Sequence, residues 1–107
     1  MTQEINQDQF ETEVLAADLP VVLDFFSTEC PPCEALAPKF SSLEEAFTGR
    51  VKFLKVFRQG NRALAEKLNV TGSPTLLFFR QGVEIGGRLS GEIKKSEIKA
   101  ALEALLN

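Results

Sequence analysis

The chain of 107 residues has no histidine, no tryptophan, no tyrosine and only two cysteines. Without histidine it has no imidazole for acid–base catalysis near neutral pH and no His-ligated metal. Two cysteines are too few to staple a disulfide-dense secreted fold. No apolar run approaches the roughly 20 residues of a membrane span, so no membrane partner is expected. The opening Met1-Thr2-Gln3-Glu4 lacks the basic stretch and apolar core of a signal peptide, so the expected compartment is the cytoplasm. An excess of positive charge is missing too. The 12 basic and 15 acidic residues give a net charge of −3, which argues against a nucleic-acid binder with its basic face.

What remains suits one domain over residues 1–107. Hydrophobic residues make up 44% of the chain, enough for a real core at this length. A short edge strand is expected near residues 5 to 7. Asn6 and Gln9 then stand in the positions of a capping box. Phe10, Val14 and Leu15 share a face of the helix that follows, which should end near Ala17, before Leu19-Pro20. Val21-Val22-Leu23-Asp24-Phe25-Phe26 reads as a strand buried on both faces. After Cys30-Pro31-Pro32-Cys33 a helical pattern begins. Its stripe is Ala35, Leu36, Phe40, Leu43, Ala46 and Phe47, with Pro38 inside it as a kink and Gly49 as its stop.

A third strand is expected over residues 51–56, and a short helix over 62–68 capped by Asn61. Thr75 to Phe79 is a fourth strand. Gln81-Gly82 is a hairpin signal leading to a fifth near Val83 to Leu89. Ser96 or Glu92 opens a last helix, with Ile98, Ala101, Leu102, Leu105 and Leu106 on its buried side. Strands alternating with helices and closed by a hairpin imply an α/β fold. A mixed central sheet of about five strands should be flanked by about four helices.

A Cys-x-x-Cys at a strand-to-helix junction carries a definite chemistry. The first cysteine sits where unpaired N–H groups and the helix dipole favour a thiolate. The second lies one turn on, close enough to close a small ring. Cys30 is then placed to attack a substrate disulfide and Cys33 to resolve the mixed disulfide. Two blander readings compete. A structural disulfide closing so short a loop would constrain the unfolded chain little. A metal site would need ligands from a second copy.

Several separated segments, in order, resemble the thioredoxin family over the whole length: Asp24-Phe25-Phe26, Cys30-Pro31-Pro32-Cys33, Leu36-Ala37-Pro38, Lys55, Gly72-Ser73-Pro74-Thr75 and Gly91. Phe10 to Leu15 also looks like the family's first helix. The resemblance implies the thioredoxin fold and a thiol–disulfide oxidoreductase without cofactor or metal. It implies that Pro74 is cis and faces the cysteines, with the Ser73 backbone pairing to an extended substrate peptide. Gly91, Pro31 and Phe26 would border that substrate site. It places Asp24 beneath Cys33 with Lys55 nearby. Burial should raise the Asp24 pKa and Lys55 should oppose the rise, poising a carboxylate to take the Cys33 proton. A structural Asp24, bonded to nearby backbone or turned to solvent, is the alternative. The implied partners are disulfide-containing proteins and a flavoprotein thioredoxin reductase or similar electron donor; the default oligomeric state is a monomer.

The motif also departs from the family, which usually has Trp-Cys-Gly-Pro-Cys-Lys. Here Glu29 precedes the pair, Glu34 follows it, and Pro31 replaces glycine. Neither residue between the cysteines can donate a backbone N–H. Two carboxylates beside the pair, with no cation, disfavour the thiolate and push the couple toward a reducing potential. Phe26 and Glu29 stand where two tryptophans usually form the rim, and Arg58 and Arg62 replace an acidic stretch. The leading reading is a cytosolic dithiol reductant. The rivals are a disulfide oxidase or isomerase, and a binding adaptor with idle cysteines; a fragment of a larger fused redox enzyme is a further alternative.

Overall fold

A computed structural model describes residues 2–107. Its strands are β1 (Gln3–Ile5), β2 (Val21–Phe26), β3 (Lys52–Phe57), β4 (Thr75–Arg80), β5 (Val83–Glu84) and β6 (Leu89–Ser90). Its α-helices are α1 (Pro31–Ala46), α2 (Arg62–Lys67) and α3 (Lys95–Leu106). Strand order is β1-β3-β2-β4-β5, with β6 also on β4. The pairs β1–β3 and β2–β3 are parallel and those of β4 antiparallel. This is the mixed α/β sheet expected, with helical layers on both faces.

Period-two alternation sorts the strand residues between the two faces. Val21, Leu23 and Phe25 of β2 join Leu54, Val56, Leu77 and Phe79 in one core cluster, against Phe10 and Val14 of the N-terminal segment and Leu64 of α2. Val22, Phe53, Leu76 and Phe78 face the other way, onto Leu36, Phe40 and Leu43 of α1 and Ile98, Leu102 and Leu105 of α3. Asp24, Phe26 and Lys55 follow the second alternation. They therefore lie on the layer that carries α1.

Several details differ from the sequence-based expectations. The edge strand comes earlier, at Gln3–Ile5. The Asn6–Gln9 capping box forms, but one 3-10 turn (Gln7–Gln9) and a wide-turned segment (Glu11–Leu15) replace the single α-helix. The Ala16 N–H reaches back five residues, to the Glu11 carbonyl at 2.9 Å. Helix α1 includes Pro38, as expected, but Ala35 and Ala46, expected on its buried stripe, are exposed. It ends before Gly49, whose φ of +80° serves the turn beyond. Asn61 precedes α2 but does not cap it. Its Oδ1 accepts from the Gln7 N–H and its Nδ2 donates to the Phe57 carbonyl, each at 2.8 Å; long-range bonds have taken the side chain.

The expected fifth strand is two short ones, interrupted over residues 85–88, where Gly86 takes φ +71°. The hairpin at Gln81-Gly82 forms with both φ values positive, as a two-residue turn of the favoured hand requires. Helix α3 starts at Lys95, with Glu97 Oε1 accepting from the Lys94 N–H, rather than at Ser96 or Glu92. Leu106, expected on its buried side, is exposed, because the α3 stripe closes with Leu105.

Candidate active site

Cys30 and Cys33 form a disulfide, with Cα atoms 5.2 Å apart. Cys30 is the N-cap of α1, and Pro31 and Pro32 occupy its first two positions. A first turn leaves its N–H groups without helical partners, and proline there removes donors that would otherwise point at the cap. The first N–H remaining is that of Cys33, 3.2 Å from Cys30 Sγ. This fulfils the expectation that only Cys33 and later residues serve Cys30. Helix α1 therefore directs its positive end at one sulfur, that of Cys30. Cys30 is also the more enclosed of the two, only 9% exposed, whereas Cys33 is half-buried.

The enclosure comes from the loop before β4. The Ser73–Pro74 peptide bond is cis, and the Ser73 carbonyl oxygen lies 3.7 Å from Cys30 Sγ. In the disulfide no S–H exists to donate; in the dithiol a Cys30 thiol can donate there. The Gly91 N–H donates to the Pro74 carbonyl at 3.2 Å, and Gly91 has φ +74°. A cleft of about 420 Å³ runs along Val70 to Thr75 and Ser90-Gly91. Pro31 is exposed at the mouth of the pair. Cys30, Cys33, Pro31, Ser73, Pro74 and Gly91 are thus brought together.

Asp24, Lys55 and Phe26 form a second group on the sheet. Asp24 and Lys55 are register partners across the parallel β2–β3 pair. Among the described residues no ion pair within 4.0 Å joins them. Lys55 Nζ instead lies 5.4 Å from the Phe26 ring centroid, a cation–π contact. Asp24 is 8% exposed, and its Oδ1 is buried without a hydrogen-bond partner. Burial raises its pKa from 3.8 to about 7, against the opposing pull of Lys55. The alternative of an Asp24 turned to solvent is excluded by this burial.

Sequence reasoning missed the links between the cysteine loop and the turn after β3. Gln59 Oε1 accepts from the Thr28 N–H at 3.1 Å and from its hydroxyl at 3.3 Å. Arg58 Nε donates to the Ser73 hydroxyl at 2.8 Å. The pair therefore has a cation in its surroundings, Arg58, which the local sequence around residues 29–34 does not contain. Gly60 lets the turn close over Phe57, since a Cβ there would meet that ring at 2.9 Å. Phe57 in turn packs on Phe26, with centroids 5.6 Å apart. Nothing in the spacing of these residues signals the contacts, which cross 15 and 31 positions of chain.

A redox-capable cysteine pair at a helix N-terminus, against a cis-proline loop on a mixed sheet, is the arrangement the family resemblance implied. The family model for Thioredoxin matches residues 1–104. The chain belongs to the thioredoxin family. It is 36% identical to thioredoxin of Acetoanaerobium sticklandii over 104 residues, covering 96% of this chain and 94% of that one. It is 33% identical to thioredoxin of Haemophilus influenzae, over 88% of this chain and 87% of the relative. To Thioredoxin X, chloroplastic, of Arabidopsis thaliana it is 30% identical over 98% of its own length, spanning 58% of that protein. Membership of this thioredoxin family, together with the disulfide-forming pair, makes the chain a thiol–disulfide oxidoreductase. Among the described residues no helix is long and apolar enough to cross a membrane.

Proposed function

We propose that this thioredoxin-family chain is a cytoplasmic dithiol reductant of protein disulfides, working as one monomeric domain over residues 1–107. The observation that carries the reading is the Cys30–Cys33 disulfide at the N-terminus of α1, against the Ser73–Pro74 loop. Starting from the dithiol, the Cys30 thiolate attacks one sulfur of the substrate disulfide. A Cys30–substrate bond forms and the other substrate sulfur leaves as a thiolate. Cys33 then loses its proton and attacks Cys30 Sγ, and the second substrate sulfur leaves. The substrate gains two electrons and the protein ends as the Cys30–Cys33 disulfide.

Cys30 is the nucleophile because the one N–H available in the first turn points at its sulfur. Asp24 is the proton acceptor, through a water. It sits on the layer of α1, and a carboxyl with a pKa of about 7 is substantially ionised at neutral pH yet basic enough to take a proton. Lys55 tunes Asp24. Ser73 and Pro74 hold an extended peptide by its backbone, with Gly91, Pro31 and Phe26 bordering it. A flavoprotein thioredoxin reductase, or a donor like it, returns the electrons.

The test is the equilibrium potential of the pair, read by thiol labelling across dithiothreitol buffers. A midpoint at or below about −270 mV, thioredoxin's own range, is expected. A midpoint of roughly −180 to −120 mV would replace the reductant with an oxidase or isomerase. Cys33→Ser should trap substrates as mixed disulfides through Cys30; if it traps none, the adaptor reading takes over.

A further inference from the structure

Arg58 is held in place and yet has most of its donors free. It opens the short turn Arg58–Gly60 at the end of β3. Its Nε is committed to the Ser73 hydroxyl at 2.8 Å. Among the described residues its two Nη groups have no hydrogen-bond partner and it makes no ion pair within 4.0 Å. Arg58 as a whole is half-buried. A planar fork fixed by one edge presents the other edge in a set direction, with little entropy left to lose on binding.

Its position relative to the chemistry follows from two sets of contacts. Ser73 touches Arg58 through its side chain and lies 3.7 Å from Cys30 Sγ through its carbonyl. Gln59, the next residue, ties the same turn to Thr28 in the loop leading to Cys30. The cleft that Arg58 enters, about 410 Å³, is also lined by Arg62, Glu66 and Val70. Val70 lines the cis-proline cleft as well, so the two adjoin. Glu66 is the one acid lining this cleft; Glu29 and Glu34 lie on the cysteine loop and α1, both exposed.

We infer that Arg58 determines specificity, selecting disulfides in which a carboxylate side chain lies within two residues of the attacked cysteine in an extended peptide. The inference rests on the proposed reading that substrate peptides lie along Ser73. An extended chain advances about 3.3 Å per residue, so a residue one or two positions from the attacked cysteine comes over the Ser73 side chain and its guanidinium partner. Carboxylate and guanidinium meet there by charge-assisted, two-pronged hydrogen bonds. The net charge of −3 would otherwise repel an acidic partner, so the preference arises locally, at one point of the rim.

The test compares two disulfide-linked peptides identical except for Glu or Gln next to the attacked cysteine. Each is reduced by the dithiol form of the parent, of Arg58→Gln and of Arg58→Lys. The parent should favour the Glu peptide in kcat/KM by about threefold to fivefold at low salt. The ratio should fall toward one in 0.5 M salt and in Arg58→Gln, with Arg58→Lys between. Because the readout is a ratio, a general loss of activity or fold does not imitate it. A parent ratio near one, or a ratio unchanged in Arg58→Gln, overturns the inference while leaving the reductase reading intact. Failure to reduce either peptide overturns both. Glutathione disulfide, which carries carboxylates but has no extended peptide strand, is the third substrate. Turnover faster than that of the Glu peptide would overturn the assignment to a peptide partner.

Discussion

The two faces of the sheet are built by the same alternation and differ at one end. Toward the N-terminal segment and α2, the strands contribute Ile5, Val21, Leu23, Phe25, Leu54, Val56, Leu77 and Phe79, and the buried polar Thr75 on the same face has its hydroxyl satisfied, donating to the Gly72 carbonyl at 2.8 Å. Toward α1 and α3 the strands place Val22, Phe53, Leu76 and Phe78, and beyond Val22 and Phe53 they present Asp24 and Lys55 side by side. One face gains stability from every side chain it covers. The other gives some up where the strands approach Cys30, by burying a carboxyl oxygen without a partner. The unpartnered carboxyl oxygen thus lies on the layer that carries the cysteine helix, and the hydrocarbon of the opposite layer offsets its cost.

Mutations of opposite sign on neighbouring residues test this contrast. The largest loss is expected on the hydrocarbon face. Leu23 is fully buried, and Leu23→Ala should cost about 2–5 kcal/mol, read as a lower urea midpoint. A loss under about 1 kcal/mol would mean that this face is not the stabilising one.

Asp24→Asn should act the other way. The folded-state pKa of Asp24, about 7, is above its ordinary 3.8. The folded protein therefore holds the Asp24 proton more tightly than the unfolded chain does. The stabilisation is complete below pH 3.8 and is lost as pH rises through about 7. The parent should lose up to about 4 kcal/mol between pH 4 and pH 8 from this residue, and Asp24→Asn should not. The variant is expected to be the more stable of the two at pH 8, while reducing disulfides about tenfold more slowly at pH 7. Equal pH dependence in both proteins would remove Asp24 from the account of stability. An unchanged rate would remove it from the chemistry.

The smallest effect is expected at the loop. Glu29 holds φ +52° one residue before Cys30, a left-handed conformation costly for a side chain bearing a Cβ. Glu29→Gly should relieve that strain, less the added entropy of the unfolded chain, for a net gain of about 0.5 kcal/mol. It also takes a carboxylate from beside the pair, so the Cys30 thiolate should form at lower pH, measured by alkylation rate against pH. An alkylation profile that does not move would mean that this exposed charge is screened from the sulfur.

Much of the site was legible because its parts are local. Cys30 and Cys33 are one helical turn apart, the prolines between them remove two donors, and Asp24 stands out as a charge in a strand of hydrocarbon. The same holds for the hairpin at Gln81-Gly82, whose conformation is a property of two residues. Expectations failed where the tertiary arrangement set a side chain's partners or its cover. Asn61 looked like a cap and instead joins Gln7 to Phe57. Leu106 fitted the α3 stripe, but the layer beneath closes at Leu105.

By itself the sequence determined the mixed α/β sheet, the redox pair, and the supply of the one free N–H to Cys30. Each of these follows from hydrophobic period, from turn chemistry, or from the missing N–H of proline, which act over a few residues. Only the tertiary structure decided that Asp24 is buried without a hydrogen bond to Oδ1, that Lys55 leans on Phe26, and that Arg58 reaches Ser73 beside Cys30. Those outcomes depend on which layers close over a side chain and which strand ends meet. Contacts between residues far apart in the chain exist only once the sheet has brought them together.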